Sequence, residues 1–224
     1  MLSPSIFKFL RELEANNRRD WFNANKERYL RDARDPMLAF IEAFAPRLKK
    51  TSPRFVADPS PSGGSLFRIY RDTRFSKDKS PYKTHIAAHF QHAATRGARR
   101  EESVHAPGFY LHIESGQSFI GAGLWRPEPA LAQKIRGIIA ARPARWRAAV
   151  RGLELDGDQL ARPPRGFPAD HPLIDDLRRK DFICGTQFSD REVCARDFLD
   201  RFTKACRQAA PLVKFLTEAV GLKF

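Results

Sequence analysis

Sulfur, acid and long apolar runs are all scarce in this chain of 224 residues, and each shortage removes a class of protein. Its three cysteines, Cys184, Cys194 and Cys206, are too few and too widely spaced for a zinc knuckle or a disulfide framework, which points to a cytoplasmic protein. No stretch reaches the roughly 18 apolar residues of a membrane span, and the leading MLSPSIFKFLRELE puts charges where a signal peptide needs an unbroken apolar core. Phosphate-binding glycine motifs are missing. Gly121-Ala122-Gly123 runs into Trp125 and Pro127 without the third glycine and helix of a dinucleotide loop, so close packing is the expected role of these glycines. Ser76 lies in no glycine-flanked nucleophile elbow, and the cysteines sit in apolar patterns that belong to a core. No internal repeat occurs.

What the chain has in abundance is positive charge. Forty Lys and Arg against twenty-six Asp and Glu give +14, a balance that favours anionic partners, nucleic acid or a phosphorylated small molecule among them, and equally fits a basic solvated surface. The 42% hydrophobic content supports a sizeable core, and the length suits one domain spanning residues 1–224.

Hydrophobic periodicity divides the chain into helices, then strands, then helices. Ile6, Phe9, Leu10 and Leu13 mark a first short helix; Asp20 is placed to cap a second, and Asp35-Pro36 to start a third carrying Met37, Phe40, Ile41, Phe44 and Leu48 inward. Residues 51–64, rich in Pro and Gly, form a loop around at most one short strand. Leu66–Tyr70 and Thr84–Gln91 alternate as a pair of strands, the second with Ile86, Ala88 and Phe90 on one face and His85, Ala87, His89 and Gln91 on the other. Residues 92–107 form an exposed connection. Phe109, Leu111 and Ile113 alternate with Tyr110, His112 and Glu114, and Gly116 turns the chain into a strand over 118–125.

The remaining residues return to helices. One spans Glu128–Ala141 and is broken at Arg142-Pro143. A short one runs from Asp170 to Arg179, a strand holds Phe182, Cys184 and Thr186, and Ser189–Glu192 is a capping box for a long amphipathic helix, with Pro211 opening a last one. The class implied is α+β, an antiparallel sheet of about four to five strands flanked by N-terminal and C-terminal helices.

The densest chemistry lies in Arg68–Lys83, RIYRDTRFSKDKSPYK, which holds six cations, two carboxylates and three aromatics in sixteen residues. Asp72, Ser76, Asp78 and Ser80-Pro81 are turn formers that put the cations on a loop. Arg68, Arg71, Arg74, Lys77, Lys79 and Lys83 are the candidate ligands for phosphate oxygens, with Tyr82 as a stacking face; an enzyme on a phosphorylated substrate would use Asp72 or Tyr82 for proton transfer. The same alternation of sign also describes a salt-bridge clasp. Together with NNRRDWF, GFYLHIE and Gly123–Pro127, the segment RDTRFSKDKSPYK resembles the signature of a widespread, mainly bacterial family of conserved proteins of unknown function, a resemblance spanning nearly the whole chain and implying no cofactor or catalytic residue.

Histidines give no cage within one segment. His85, His89 and His92 would converge on a helix, but on a strand His85 and His89 stand about 13 Å apart at roughly 3.3 Å per residue, so no metal is expected.

Overall fold

Period-two alternation in the middle of the chain builds the sheet on which everything else is arranged. The computed structural model describes residues 2–95 and 106–224. Strands β1 (Phe55–Val56), β2 (Ile86–His92), β3 (Gly108–Ile113), β4 (Ser118–Leu124), β5 (Leu155–Asp156) and β6 (Phe182–Phe188) form one antiparallel sheet in the order β1-β2-β3-β4-β6-β5. The fold is therefore α+β. Six strands slightly exceed the expected four to five, and the two outermost, β1 and β5, are two-residue edges too short for alternation to announce. Of the predicted connection after Gln91, His92 closes β2 as a buried residue and Ala93–Thr95 form a single 3₁₀ turn; its middle, residues 96–105, lies outside the described residues.

Helix α1 (Pro4–Ala15) takes Pro4 in its first turn, where a missing N–H costs nothing, and buries Ile6, Phe7, Phe9, Leu10 and Leu13. After α2 (Arg19–Ala24) the chain stays helical from α3 (Lys26–Tyr29) to α4 (Asp35–Thr51) through one π-turn at Leu30–Arg34. The caps expected here are absent. Asp20 lies inside the first turn of α2, and the Asp35 N–H donates to the Leu30 carbonyl five residues back. Pro36 has no N–H to offer the preceding turn, and the widened π-turn absorbs it without ending the helix.

The second half follows the same logic with three departures. Helices α5 (Pro129–Ala141) and α6 (Pro143–Ala149) break where Arg142-Pro143 requires, and only Ile174–Leu177 of the Asp170–Arg179 stretch is helical, as α7. The Ser189–Glu192 capping box forms, but its helix, α8 (Asp190–Val193), stops after one turn. Pro211 begins nothing: it lies inside α9 (Phe198–Ala219). A continuous buried stripe of Phe202, Cys206, Ala209, Leu212, Val213 and Leu216 supplies more than the roughly 3 kcal/mol an internal proline costs.

Helices α4 and α9 cover one face of the sheet. Phe44 and Phe202 meet edge-on at 4.8 Å, and both rest on Phe90 of β2 at 4.9 and 5.9 Å. Phe109, Leu111, Ile113 and Ile120 join this core, all at most 2% exposed. The residues of opposite register, His89 on β2, Tyr110 and His112 on β3, and Phe119 and Gly121 on β4, are neighbours on the other face, since His89 pairs with Tyr110, Tyr110 with Gly121, and His112 with Phe119. No described helix is long and apolar enough to cross a membrane.

Candidate functional site

The stretches Leu66–Tyr70 and Thr84–Gln91 do pair, but not as one ladder. Leu66 bridges Ala88 and Tyr70 bridges Tyr82, a slip of two residues that breaks regular strand geometry around Arg68–Ile69 and Thr84–His85. A slip of two residues preserves the alternation, so Lys83, His85 and His89 stay on one side and, with Tyr110, line a cleft of about 540 Å³.

The walls of that cleft are rings. Phe67 stacks with His89 at 6.3 Å, His112 stacks with Phe119 at 4.8 Å, and the rings of His85 and His112 lie 4.3 Å apart. Gly121 forms floor: a Cβ built there would meet nothing closer than 3.7 Å, so this position leaves volume to the cleft rather than to a neighbour. Trp125, 46% exposed, stands at the rim with the Arg126 guanidinium 4.8 Å from its ring. Arg126 has φ 45°, an uncommon conformation for a non-glycine residue, and its N–H donates to buried Asp181 at 2.8 Å.

A hydrogen-bonded line runs along β3. Tyr110 Oη and His112 Nδ1 are 3.0 Å apart, His112 Nε2 and Glu114 Oε2 also 3.0 Å, and Thr84 Oγ1 donates to Glu114 Oε1 at 2.9 Å. Burial raises the Glu114 carboxyl, but the bonds to His112 and Thr84 outweigh it and hold the group below the usual carboxylate range. Burial, with His112 and Lys83 nearby, pushes His85 down to about 4, and burial takes His89 to about 4 as well, so neither is charged at neutral pH. Burial and Glu114 raise the Tyr110 phenol.

The seven signature residues do not all line this cleft. Lys83 alone among them lines the cleft, its Nζ 5.1 Å from the Phe67 ring centre. Arg71 is tied to Asp78 and to the Ser80 carbonyl, Arg74 to Asp72 at 2.7 Å, and Lys79 Nζ to the Thr73 carbonyl at 2.9 Å, while Arg68 and Lys77 lie exposed. Tyr82 is corrected from ligand contact to core: it is 3% exposed and stacks on Phe22 at 4.1 Å, with its backbone N–H and carbonyl held by the Asn17 amide. Asp72 is exposed and bound to Arg74, which lowers its carboxyl to about 2 through the side-chain bond first and the Arg74 backbone N–H second; it borders no part of the cleft.

The loop's ion pair is open to solvent, with Arg74 70% and Asp72 43% exposed in their side chains. Arg74→Ala is expected to leave the melting temperature within about 2 °C of wild type, since exposed pairs contribute little. A larger drop in a calorimetric scan would show the pair to be a structural clasp.

Sequence reasoning missed His112 and Glu114. The alternation on β3 did put Tyr110, His112 and Glu114 on one face, but their meeting with His85 depends on the β2–β3 register, which sets Ile86 opposite Ile113 and Ala87 opposite His112.

An antiparallel sheet with helices on one face and an aromatic, histidine-lined cleft on the other defines an α+β protein whose site has the volume of small-molecule pockets. The chain belongs to the family of conserved hypothetical proteins designated DUF2461, whose model matches residues 5–215. No curated protein matches it.

Proposed function

We propose that this chain is a single cytoplasmic domain that binds a small organic anion, a phosphorylated or carboxylated compound with a flat apolar body, in the cleft over β2, β3 and β4. The observation that carries this is the placing of one signature cation, Lys83, in a cleft whose rings are those of Phe67, Tyr110, Phe119, Trp125 and three histidines, with Asp156 the acidic residue on its lining. Rings on both sides suit a flat body, and an ammonium at one end suits its anionic group. Arg126, held over Trp125 at the rim, is a second cation within reach of a ligand that projects outward.

A nucleic-acid strand is the less favoured partner. Tracking a phosphate backbone takes a row of cations along an open groove, whereas Arg71 and Arg74 are paired with carboxylates of their own loop. In this reading the signature loop is scaffold: it anchors the turn that delivers Lys83 to the cleft.

The test is a thermal shift with nucleoside monophosphates, aromatic carboxylates and a single-stranded oligonucleotide. A small anion at a hundredfold over its Kd is expected to add about 2.7 kcal/mol, a rise of roughly 5–10 °C for a chain of this length. Gly121→Val, whose side chain would fill the floor, and Lys83→Gln should abolish the shift while leaving the unliganded melting temperature near wild type. A shift produced only by the oligonucleotide, or one that survives Gly121→Val, rejects the cleft as the site.

A further inference from the structure

We propose that His85, His112 and Glu114 bind one divalent first-row transition metal ion of the zinc or ferrous class at the edge of the cleft. One ligand atom from each of the three lies within 4.8 Å of the others. Donors about 2.0–2.2 Å from a shared ion stand roughly 3–3.5 Å apart, so the His112 Nε2–Glu114 Oε2 separation of 3.0 Å already fits. Only His85 must close in. Its side chain is half-buried, with no hydrogen-bond partner among the described residues, and rotation about its side-chain bonds supplies the movement.

The groups around these donors are arranged as metal ligands require. Thr84 Oγ1 occupies Oε1 of Glu114 and so leaves Oε2 turned to His112. His112 Nε2–H here donates to Glu114; on binding an ion the imidazole would carry its proton at Nδ1 instead, where Tyr110 Oη, 3.0 Å away, can accept it and hold the tautomer with Nε2 bare. Two imidazoles and a carboxylate without a thiolate suit zinc, ferrous or manganous ions rather than copper(I) or a cluster. Cys184, the nearest sulfur on the sheet, pairs with Ala122 and Leu155 in the opposite register. Three protein donors leave positions open toward the cleft. Of the two charged residues on the cleft lining, Lys83 and Asp156, Lys83 is the one that acts on His85, and it would favour an anion, not a second cation, on those positions.

Untagged protein stripped with a chelator and dialysed is titrated with Zn(II), Mn(II) and anaerobic Fe(II), with no organic ligand present. Uptake is read by calorimetry and elemental analysis, and Co(II) replaces the ion for its visible spectrum. One ion per chain is expected for at least one of the three metals, with mixed nitrogen and oxygen bands for Co(II). Affinity should fall at least about tenfold in His85→Ala, His112→Ala and Glu114→Gln, and about tenfold in Tyr110→Phe through the lost orienting bond. His89→Ala, which removes a cleft histidine outside the trio, should bind as wild type. Glu114→Gln is nearly isosteric and keeps the test decisive if a histidine variant does not fold. Less than one ion per chain with all three metals overturns the proposal, as does equal uptake by wild type and Glu114→Gln. The anion reading fails separately, because Gly121→Val should lose the organic anion yet retain the metal.

Discussion

Gly123→Ala is expected to cost about 4 kcal/mol and lower the melting temperature by roughly 8–16 °C, among the largest effects of any single methyl in the sheet. Two penalties add. Gly123 has φ 122°, a backbone conformation that side chains with a Cβ rarely adopt, and the added carbon would press on the Phe182 carbonyl oxygen with Ile183 Cα only 3.0 Å away. The neighbours cannot yield cheaply, because both are backbone atoms of β6, the strand bonded to β4 through the Gly123↔Ile183 pair. Gly121→Ala is the control. It lies two residues away on the same strand with nothing closer than 3.7 Å, and should change stability by less than about 1 kcal/mol. Equal losses in the two variants, measured by calorimetry, would mean that the close approach of β4 and β6 at Gly123 does not exist.

That contrast bears on how much of the molecule its sequence discloses. Alternation at Phe109, Leu111 and Ile113 and at Ile86, Ala88 and Phe90 announced both the strands and the face that meets the helices, because burial of one face is what alternation encodes. The capping box at Ser189–Glu192 and the break at Arg142-Pro143 were likewise local chemistry, legible without a fold. Asp35-Pro36 marks where α4 begins and its buried face is the one expected, but the cap is replaced by a π-turn that continues the helix from α3, and the packing that keeps both flanks helical lies elsewhere in the chain. The cleft depends on still longer range. His85 and His112 stand 27 positions apart in the sequence and meet only through the β2–β3 register. In the signature, composition was visible, as were the Asp72–Arg74 and Asp78–Ser80 spacings that favour side-chain-to-backbone turns, and both turns form at 3.2 and 2.8 Å. Which of the six cations would reach the cleft was not visible, because that depends on where the turn sets the chain down beside β2.

Tyr82 is where composition and packing disagree most, and a pair of substitutions there has the other large expected effect. Tyr82→Ala should lose about 3–5 kcal/mol, because the ring is buried between Phe22 at 4.1 Å and Tyr70 at 5.4 Å and its removal leaves a cavity under the loop. Tyr82→Phe keeps the ring and the Asn17 bonds to the Tyr82 backbone, and should stay within about 1 kcal/mol of wild type. A structural Tyr82 therefore predicts a steep order, with alanine far below phenylalanine and phenylalanine level with tyrosine, and an unchanged response of Tyr82→Phe to any anion that stabilises wild type. A Tyr82 that contacts ligand or moves a proton predicts the reverse: Tyr82→Phe would melt as wild type but lose the ligand-induced shift or the turnover. That second pattern would return the site to the signature loop. The geometry favours the first, since a ring stacked on Phe22 presents neither face to an incoming ligand without first unpacking the corner where α2 holds the loop.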